Sequence, residues 1–250
     1  MSSELPEATL SEAGGVRFLH LGSPWVQGAM RIRDPLHVEL EYVQRMLAAL
    51  LWLDLAALAR GHAVQLGLGA GTLTRFTLRA LSMRTTAVEL NPHVIGAGRA
   101  WFRLPPDGAQ LRIAQADAAD WLARAEPASA TLLHVDLYDE EAAAPVLDDE
   151  GFYAACRRLL VPGGAMAVNL FGRHASLDRS LARIAAAFGT EAVWRLRATR
   201  EGNTVVVATR DAPLPPRAEL ATRAAAIESR WGALGLPARK WLRILRPLGG

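Results

Sequence analysis

Ala63-Val-Gln-Leu-Gly67-Leu-Gly69-Ala70-Gly71-Thr72, followed after a short apolar stretch by Thr85-Thr-Ala-Val-Glu89-Leu90, reads as a strand, a glycine turn, a helix and a second strand ending in an acid. Glycines at 67, 69 and 71 let a ligand press against bare backbone at a helix N-terminus. A carboxylate at the end of the next strand can accept both hydroxyl protons of a ribose. Gly67, Gly69, Gly71 and Glu89 are therefore candidate nucleoside-binding residues. A pyrophosphate-binding turn has the form G-x-G-x-x-G, but Thr72 stands where the third glycine belongs. G-x-G-x-G with an acid at the next strand end suits an S-adenosyl compound, which carries no phosphate. The bland alternative is a glycine-rich turn that only saves space between strand and helix.

Outward from this unit the pattern alternates strand and helix. Strands are predicted at Ala63–Leu66, Thr85–Leu90, Gln110–Ala114, Ala130–Asp136 and Ala165–Leu170. Helices are predicted at Thr72–Leu81, Pro92–Phe102, Ala118–Ala125, Gly151–Leu160 and Ser176–Phe188. Apolar strands covered by helices on both faces make a parallel, doubly wound sheet. Ala192–Arg197 and Thr204–Thr209, joined around Glu201-Gly-Asn203, read as an antiparallel edge pair. The predicted fold is α/β, a Rossmann-like sheet of five parallel strands plus that pair, which resembles the class I methyltransferase-like fold.

Before it, Val16–Leu21 and Trp25–Ile32 flank Gly22-Ser-Pro24 and predict a β-hairpin. Leu36–Leu58 has apolar residues at helical spacing, with Asp34-Pro35 as cap and first-turn proline. The first fifteen residues are polar and rich in alanine and glycine, so loose order is expected there. The domain reading is residues 1–60 as N-terminal hairpin and helix, 61–210 as the nucleoside-binding catalytic domain, and 211–250 as a basic C-terminal tail.

With 250 residues and 51% apolar composition, one sizeable core is affordable without a second full domain. The single cysteine, Cys156, excludes an internal disulfide and reads as a small buried residue. The N-terminus has no basic-then-apolar signal, and Met46–Ala59 is broken by Asp54 and too short to span a bilayer. A cytoplasmic protein is expected. Eight of the 28 basic residues and three of the 25 acids lie from Thr209 onward, so the tail carries +5 and the rest −2. The basic character therefore belongs away from the glycine turn, and nucleic acid is not the expected partner. The tail also repeats apolar residues (Leu220, Ile227, Trp231, Trp241, Leu245), which suits docking on its own core or on a second subunit.

In sheets of this type ligands sit beyond the carboxyl ends of the strands. Glu89, Asp117 and Asp136 fall at successive strand ends, in line with the glycine turn. Each has a structural alternative: Glu89 and Asp117 could cap the helices that follow them, and Asp139 with Glu140 and Glu141 could load a helix N-terminus with favourable charge.

Two blocks carry a resemblance. Val135-Asp136-Leu-Tyr-Asp139 is similar to the Val-Asp-Ser-Ser-Asp-Pro loop of the polyamine aminopropyltransferases, the spermidine synthases and their relatives. Leu147-Asp-Asp-Glu-Gly-Phe152-Tyr153, running on to Pro162-Gly-Gly164, resembles that family's Phe-Tyr helix and its Pro-Gly-Gly. Val88-Glu89-Leu-Asn91 is similar to its Val-Glu-Ile-Asp, and Gln27 falls where the family has a hairpin glutamine that reaches the nucleoside. The resemblance, from about Trp25 to Arg210, implies transfer of an aminopropyl group from decarboxylated S-adenosylmethionine to a small-molecule amine, with release of methylthioadenosine. It makes Asp136 and Asp139 the catalytic candidates, the first to accept the proton of the attacking nitrogen and the second to hold cationic charge. Gln27, Gly67, Gly69, Gly71, Glu89 and Asp117 become the candidates for the co-substrate. A homodimer is the expected assembly.

The chain also departs from that family. Ala70 stands where its glycine turn has an aspartate for the aminopropyl ammonium, Thr72 replaces another glycine, Glu140 stands in place of the loop proline, and Gln44 in Tyr42-Val-Gln-Arg-Met46 replaces a histidine. Ala70 favours a rival, a methyltransferase using intact S-adenosylmethionine, whose carboxylate an acid there would repel. A non-catalytic nucleoside-binding relative is a third reading. The six histidines are scattered without metal-ligand spacing, and no metal is expected.

Overall fold

The computed structural model describes residues 5–137, 147–171 and 174–249; the side chains of residues 174 and 175 are outside the description. Chain order begins with a three-stranded antiparallel sheet of β1 (Ala8–Ala13), β2 (Val16–Leu21) and β3 (Gly28–Arg31). The expectation of loose order in the first fifteen residues is therefore corrected for residues 8–15; residues 1–4 lie outside the described residues. Gly14 and Gly15 both take positive φ, which closes a two-residue hairpin and sets Ala8 opposite Leu21 and Ala13 opposite Val16. Ala8 and Leu10 pack on a small core around Leu19, Met30, Leu68 and Phe102. The strand predicted from Trp25 begins at Gly28 instead, because residues 22–27 form the loop; the Gln27 N–H reaches the Leu19 carbonyl at 2.8 Å, and the His20 ring bonds the Pro24 and Trp25 carbonyls at 3.2 and 3.1 Å.

The single helix predicted over Leu36–Leu58 is also corrected. It is a short α1 (Glu41–Met46) continued as a 3-10 stretch, Leu47–Leu51, and its N-terminal boundary is Leu40, not Asp34 and Pro35. Met46 through Leu53 are buried on every side, so apolar residues recur without marking one helical face.

The central sheet has eight strands. Five run parallel: β4 (His62–Leu66), β5 (Arg84–Glu89), β6 (Leu111–Gln115), β7 (Ala130–Val135) and β8 (Leu160–Phe171), in spatial order β6-β5-β4-β7-β8. Between them lie α2 (Thr72–Arg75, extended by a π-helical turn Phe76–Ala80), α3 (Pro92–Trp101), α4 (Ala118–Arg124) and α5 (Glu150–Leu159), with α6 (His174–Phe188) after β8. β9 (Val193–Leu196) and β10 (Asn203–Thr209) follow. β10 lies antiparallel between β8 and β9, with Val206 opposite Val168.

The C-terminal segment is built into this fold. α7 (Arg217–Trp231) and α8 (Ala238–Ile244) lead to β11 (Leu245–Pro247), which pairs with β9 from Leu245↔Leu196 to Pro247↔Trp194. Leu220, Ile227, Trp231 and Trp241 join the core that covers one sheet face with Trp52, Trp194 and Val207. The opposite face is covered by α4, α5 and α6 through Leu122, Phe152, Tyr153 and Ile184. No helix among the described residues is long and apolar enough to cross a membrane.

Candidate active site

The carboxyl ends of the parallel strands open into a cleft of about 1090 Å³, and the N-terminal sheet and the start of α1 form its other wall. Gln27, Gly67, Gly69, Glu89, Asp117 and Asp136 all line it. Gly71 does not. It sits behind the turn as the residue before α2, at φ +68°, and a Cβ there would stand 3.3 Å from the Leu104 side chain. Asp139, with Tyr138, Glu140 and Glu141, lies outside the described residues.

The glycine turn is held from three sides. Gly67 has φ +88°, and a Cβ on it would fall 2.1 Å from the Asp136 carbonyl oxygen, so only glycine lets the turn lie against the end of β7. The Asp136 N–H completes that contact by donating to the Leu66 carbonyl at 2.9 Å. From beneath, the buried Arg75 guanidinium donates to the carbonyls of Ala70 and Phe102 at 2.6 and 2.7 Å. Burial pushes Arg75 down to about 10; among the described residues no carboxylate pairs with it, and the carbonyl oxygens accept its N–H groups. Ala70 itself is buried, at 2% exposure.

Glu89 closes the turn from the β5 side. One carboxylate oxygen accepts the Leu68 N–H at 2.9 Å and the other accepts the Asn91 N–H at 2.8 Å. Burial raises its pKa, and these backbone donors oppose the rise. The cap of α3 is not Glu89 but Asn91, whose side chain accepts the His93 N–H at 2.9 Å, with Pro92 in the first turn. Asp117 does cap its helix. Its Oδ1 takes the N–H groups of Ala119 and Asp120 at 2.8 and 3.0 Å while the residue also faces the cleft.

Asp136 is half-buried at the tip of β7. Its Oδ1 accepts from Asn169 Nδ2 on β8 at 3.0 Å, and the Tyr42 hydroxyl of α1 bonds to the same carboxylate. Burial raises its pKa, and the two uncharged donors pull the other way. Among the described residues no arginine, lysine or histidine forms an ion pair with it. A carboxylate so placed, lining the cleft and held by uncharged donors, is chemically able to accept a proton. Tyr42, Asn169 and Asn203 line the cleft and were not sequence candidates. The signal for Asn169 was present: one amide inside the otherwise apolar run Ala165–Leu170.

The exposed lining of the cleft combines apolar side chains, Trp25 at 58% and Leu90 at 49%, with the carboxylates Glu41 and Glu201. Among the described residues no group of three or more His, Cys, Asp or Glu side chains is placed to hold a metal ion. His134 is fully buried in β7, and loss of solvent pushes it down to about 3, so it stays neutral. Burial also raises the Cys156 thiol well above its ordinary value, which removes it as a nucleophile.

Five parallel strands extended beyond β8 by the antiparallel pairings of β10, β9 and β11, with acids at the strand tips around a glycine turn, define a protein of the class I methyltransferase-like fold. Solved structures agree on that fold. A probable spermidine synthase from Corynebacterium glutamicum superposes with a TM-score of 0.69 at 22% identity, over 92% of this chain and 85% of that one. Human methyltransferase-like protein 13, in complex with SAH, gives 0.68 at 23% identity over 77% and 92%. No protein-family profile matches the chain. In sequence it is 34% identical to the polyamine aminopropyltransferase of Chromobacterium violaceum over 230 residues, 91% of this chain and 86% of that protein. The chain belongs to the polyamine aminopropyltransferases, a family of transferases.

Proposed function

We propose that this chain transfers an aminopropyl group from decarboxylated S-adenosylmethionine to a small amine, with Asp136 as the proton acceptor. The observation that carries the reading is Asp136 itself: a cleft-facing carboxylate held by neutral donors, on the same turn of backbone that Gly67 packs against and across the strand tips from Glu89.

The chemistry follows from charge. An amine with pKa near 10 is protonated at neutral pH and has no lone pair to attack with. Asp136 attracts the ammonium, accepts its proton as the nitrogen advances, and so supplies the general base. The nitrogen lone pair forms the new N–C bond, the C–S bond breaks, its electron pair neutralises the sulfonium, and methylthioadenosine departs. Glu89 holds the ribose hydroxyls, Gln27 and Asp117 complete the nucleoside pocket, and Gly67 and Gly69 let the donor lie on the backbone. Asp139, from the sequence resemblance, holds the far charge of the amine. The assembly is a homodimer and the compartment the cytoplasm; size-exclusion chromatography with light scattering checks the first of these.

Decarboxylated S-adenosylmethionine offered with a panel of diamines should release methylthioadenosine, and Asp136→Asn should lower that rate by about 10²–10⁴-fold, the usual contribution of a general base. Methylthioadenosine from no diamine tested, with S-adenosylhomocysteine formed from intact donor, would favour the second reading, a methyltransferase. That reading draws on Ala70, which puts no acid in the turn to oppose the intact donor's carboxylate.

A further inference from the structure

Asp136 is the last acceptor in a chain of hydrogen bonds that runs one way. Thr199 Oγ1 donates to Asn203 Oδ1 at 3.4 Å, Asn203 Nδ2 donates to Asn169 Oδ1 at 3.2 Å, and Asn169 Nδ2 donates to Asp136 Oδ1 at 3.0 Å. Backbone bonds fix the place of the Thr199 hydroxyl. The Thr199 N–H donates to the Asn203 carbonyl at 2.8 Å, and the Asn203 N–H donates to Thr199 Oγ1 at 3.1 Å, which ties the two residues across the turn that opens β10. β10 in turn lies against β8, with Asn203 opposite Phe171 and Val205 opposite Asn169.

An amide donates from one end and accepts at the other, so the direction of one link dictates the next. With Asn203 presenting its N–H, Asn169 must answer with its oxygen and turn its own N–H toward Asp136. The reverse orientation of Asn169 would set its oxygen against the lone pairs of a carboxylate and its N–H₂ against that of Asn203. Both contacts are repulsive.

We propose that Asn203 is a positioning residue for the transfer: acting through Asn169, it keeps an N–H donor aimed at Asp136, so that the carboxylate is held in one rotamer and in its proton-accepting form. The inference rests on the reading of Asp136 as the proton acceptor and names the antiparallel strand as the part of the fold that sets that acceptor's state. The other titratable groups lining the cleft are Glu39, Glu41, Tyr42, Glu89, Asp117 and Glu201, and none of them lies in the amide chain.

The test uses the full-length protein with Asn203→Ala, Asn203→Asp and, as the conservative variant, Asn203→Gln. Asp136 is followed by its own ¹³C carboxyl resonance, assigned by its loss in Asp136→Asn. Asn203→Asp presents only acceptors, so Asn169 must turn its N–H away from Asp136. The Asp136 titration and the acid limb of kcat/KM should then move up by about one pH unit or more, a tenfold loss of rate below the limb. Asn203→Ala should move both in the same direction by less, and Asn203→Gln should recover part of the shift. Methylthioadenosine affinity by calorimetry should be unchanged in all three. If Asn203→Ala fails to fold, Asn203→Asp, nearly identical in shape to asparagine, carries the same reading. An Asp136 resonance that titrates as in the parent protein in folded Asn203 variants overturns the positioning role and leaves the acceptor reading intact. Full activity of Asp136→Asn overturns the acceptor reading, and this inference with it.

Discussion

Gly28, at the start of β3, and Ala70, in the glycine turn, occupy a single packing space: a Cβ on Gly28 would stand 2.5 Å from the Cβ of Ala70 and 2.6 Å from its nitrogen. The N-terminal sheet thus closes directly onto the turn, and the Gln27 carbonyl lies 3.0 Å from where a Cβ on Gly69 would be. The place at which the sequence resemblance led one to look for an aspartate holds a methyl group beneath Gly28. The missing acid is a consequence of how the two elements meet.

Ala70→Asp should therefore damage the fold without improving the donor site. The new carboxylate would be buried beside the Gly28 backbone, and an unpaired buried charge costs several kcal/mol. Urea denaturation should show that loss, whereas Gly28→Ala should cost about 1–3 kcal/mol from overpacking alone. An Ala70→Asp protein as stable as its parent and binding decarboxylated donor more tightly would mean that the hairpin yields easily.

Glu89 makes a different demand, since both of its oxygens already accept a backbone N–H. Glu89→Gln would turn an amide N–H₂ toward one of those donors. It should weaken nucleoside binding nearly as much as Glu89→Ala, by about 1.5–3 kcal/mol for bonds to a charged acceptor. Calorimetry with methylthioadenosine measures both. Wild-type affinity in Glu89→Ala would reduce Glu89 to a brace for the turn.

How far the sequence could be read depended on whether local pattern or tertiary contact decided each element. The five parallel strands were legible because most carry a short apolar stretch that ends near a glycine or an acid, although β8 starts at Leu160, five residues before the predicted Ala165, and the strand-end acids Glu89, Asp117 and Asp136 were legible with them. β1 was not, since only Ala8 and Leu10 turn inward from a strand otherwise polar, although Gly14-Gly15 is a hairpin signal. Nor was β11, whose three residues include Pro247, a residue suited to an edge strand that needs no further N–H. The amide chain to Asp136 escaped notice because its members lie on β8 and on the turn into β10, and only the insertion of β10 beside β8 brings them together.

The buried acids carry a pH signature. Burial raises the pKa of Asp136 and of Glu89 in the folded protein above the unfolded values of about 3.9 and 4.3. The folded state then binds protons more tightly than the unfolded chain, so the contribution of these groups is most favourable below about pH 4 and is lost as pH rises through their folded pKa values. Asp136→Asn removes one of the two. Between about pH 4 and pH 7 its stability should gain on that of the parent, measured as the difference in urea midpoints at matched pH. A constant difference across that range would show that the amide and phenol donors fully offset burial.

Trp241 tests whether the C-terminal segment belongs to the fold or only follows it. The residue is 1% exposed and packs in the same core as Trp194 and Trp231, while β11 beyond it adds a strand to β9. Arg223 donates to the Leu51 carbonyl at 2.9 Å and Trp231 Nε1 to the Ala80 carbonyl at 3.2 Å, so α7 is tied to two separate parts of the sheet's cover. A basic appendage held for a polyanion would leave these aromatic side chains in solvent. Trp241→Ala should cost about 3–5 kcal/mol, the range for emptying a large buried site. Deleting residues 213–250 should leave no cooperative thermal transition, because Leu220, Ile227, Trp231 and Trp241 would be stripped from one face of the sheet. A truncated chain that melts at the parent's temperature would return the segment to the role of a detachable tail.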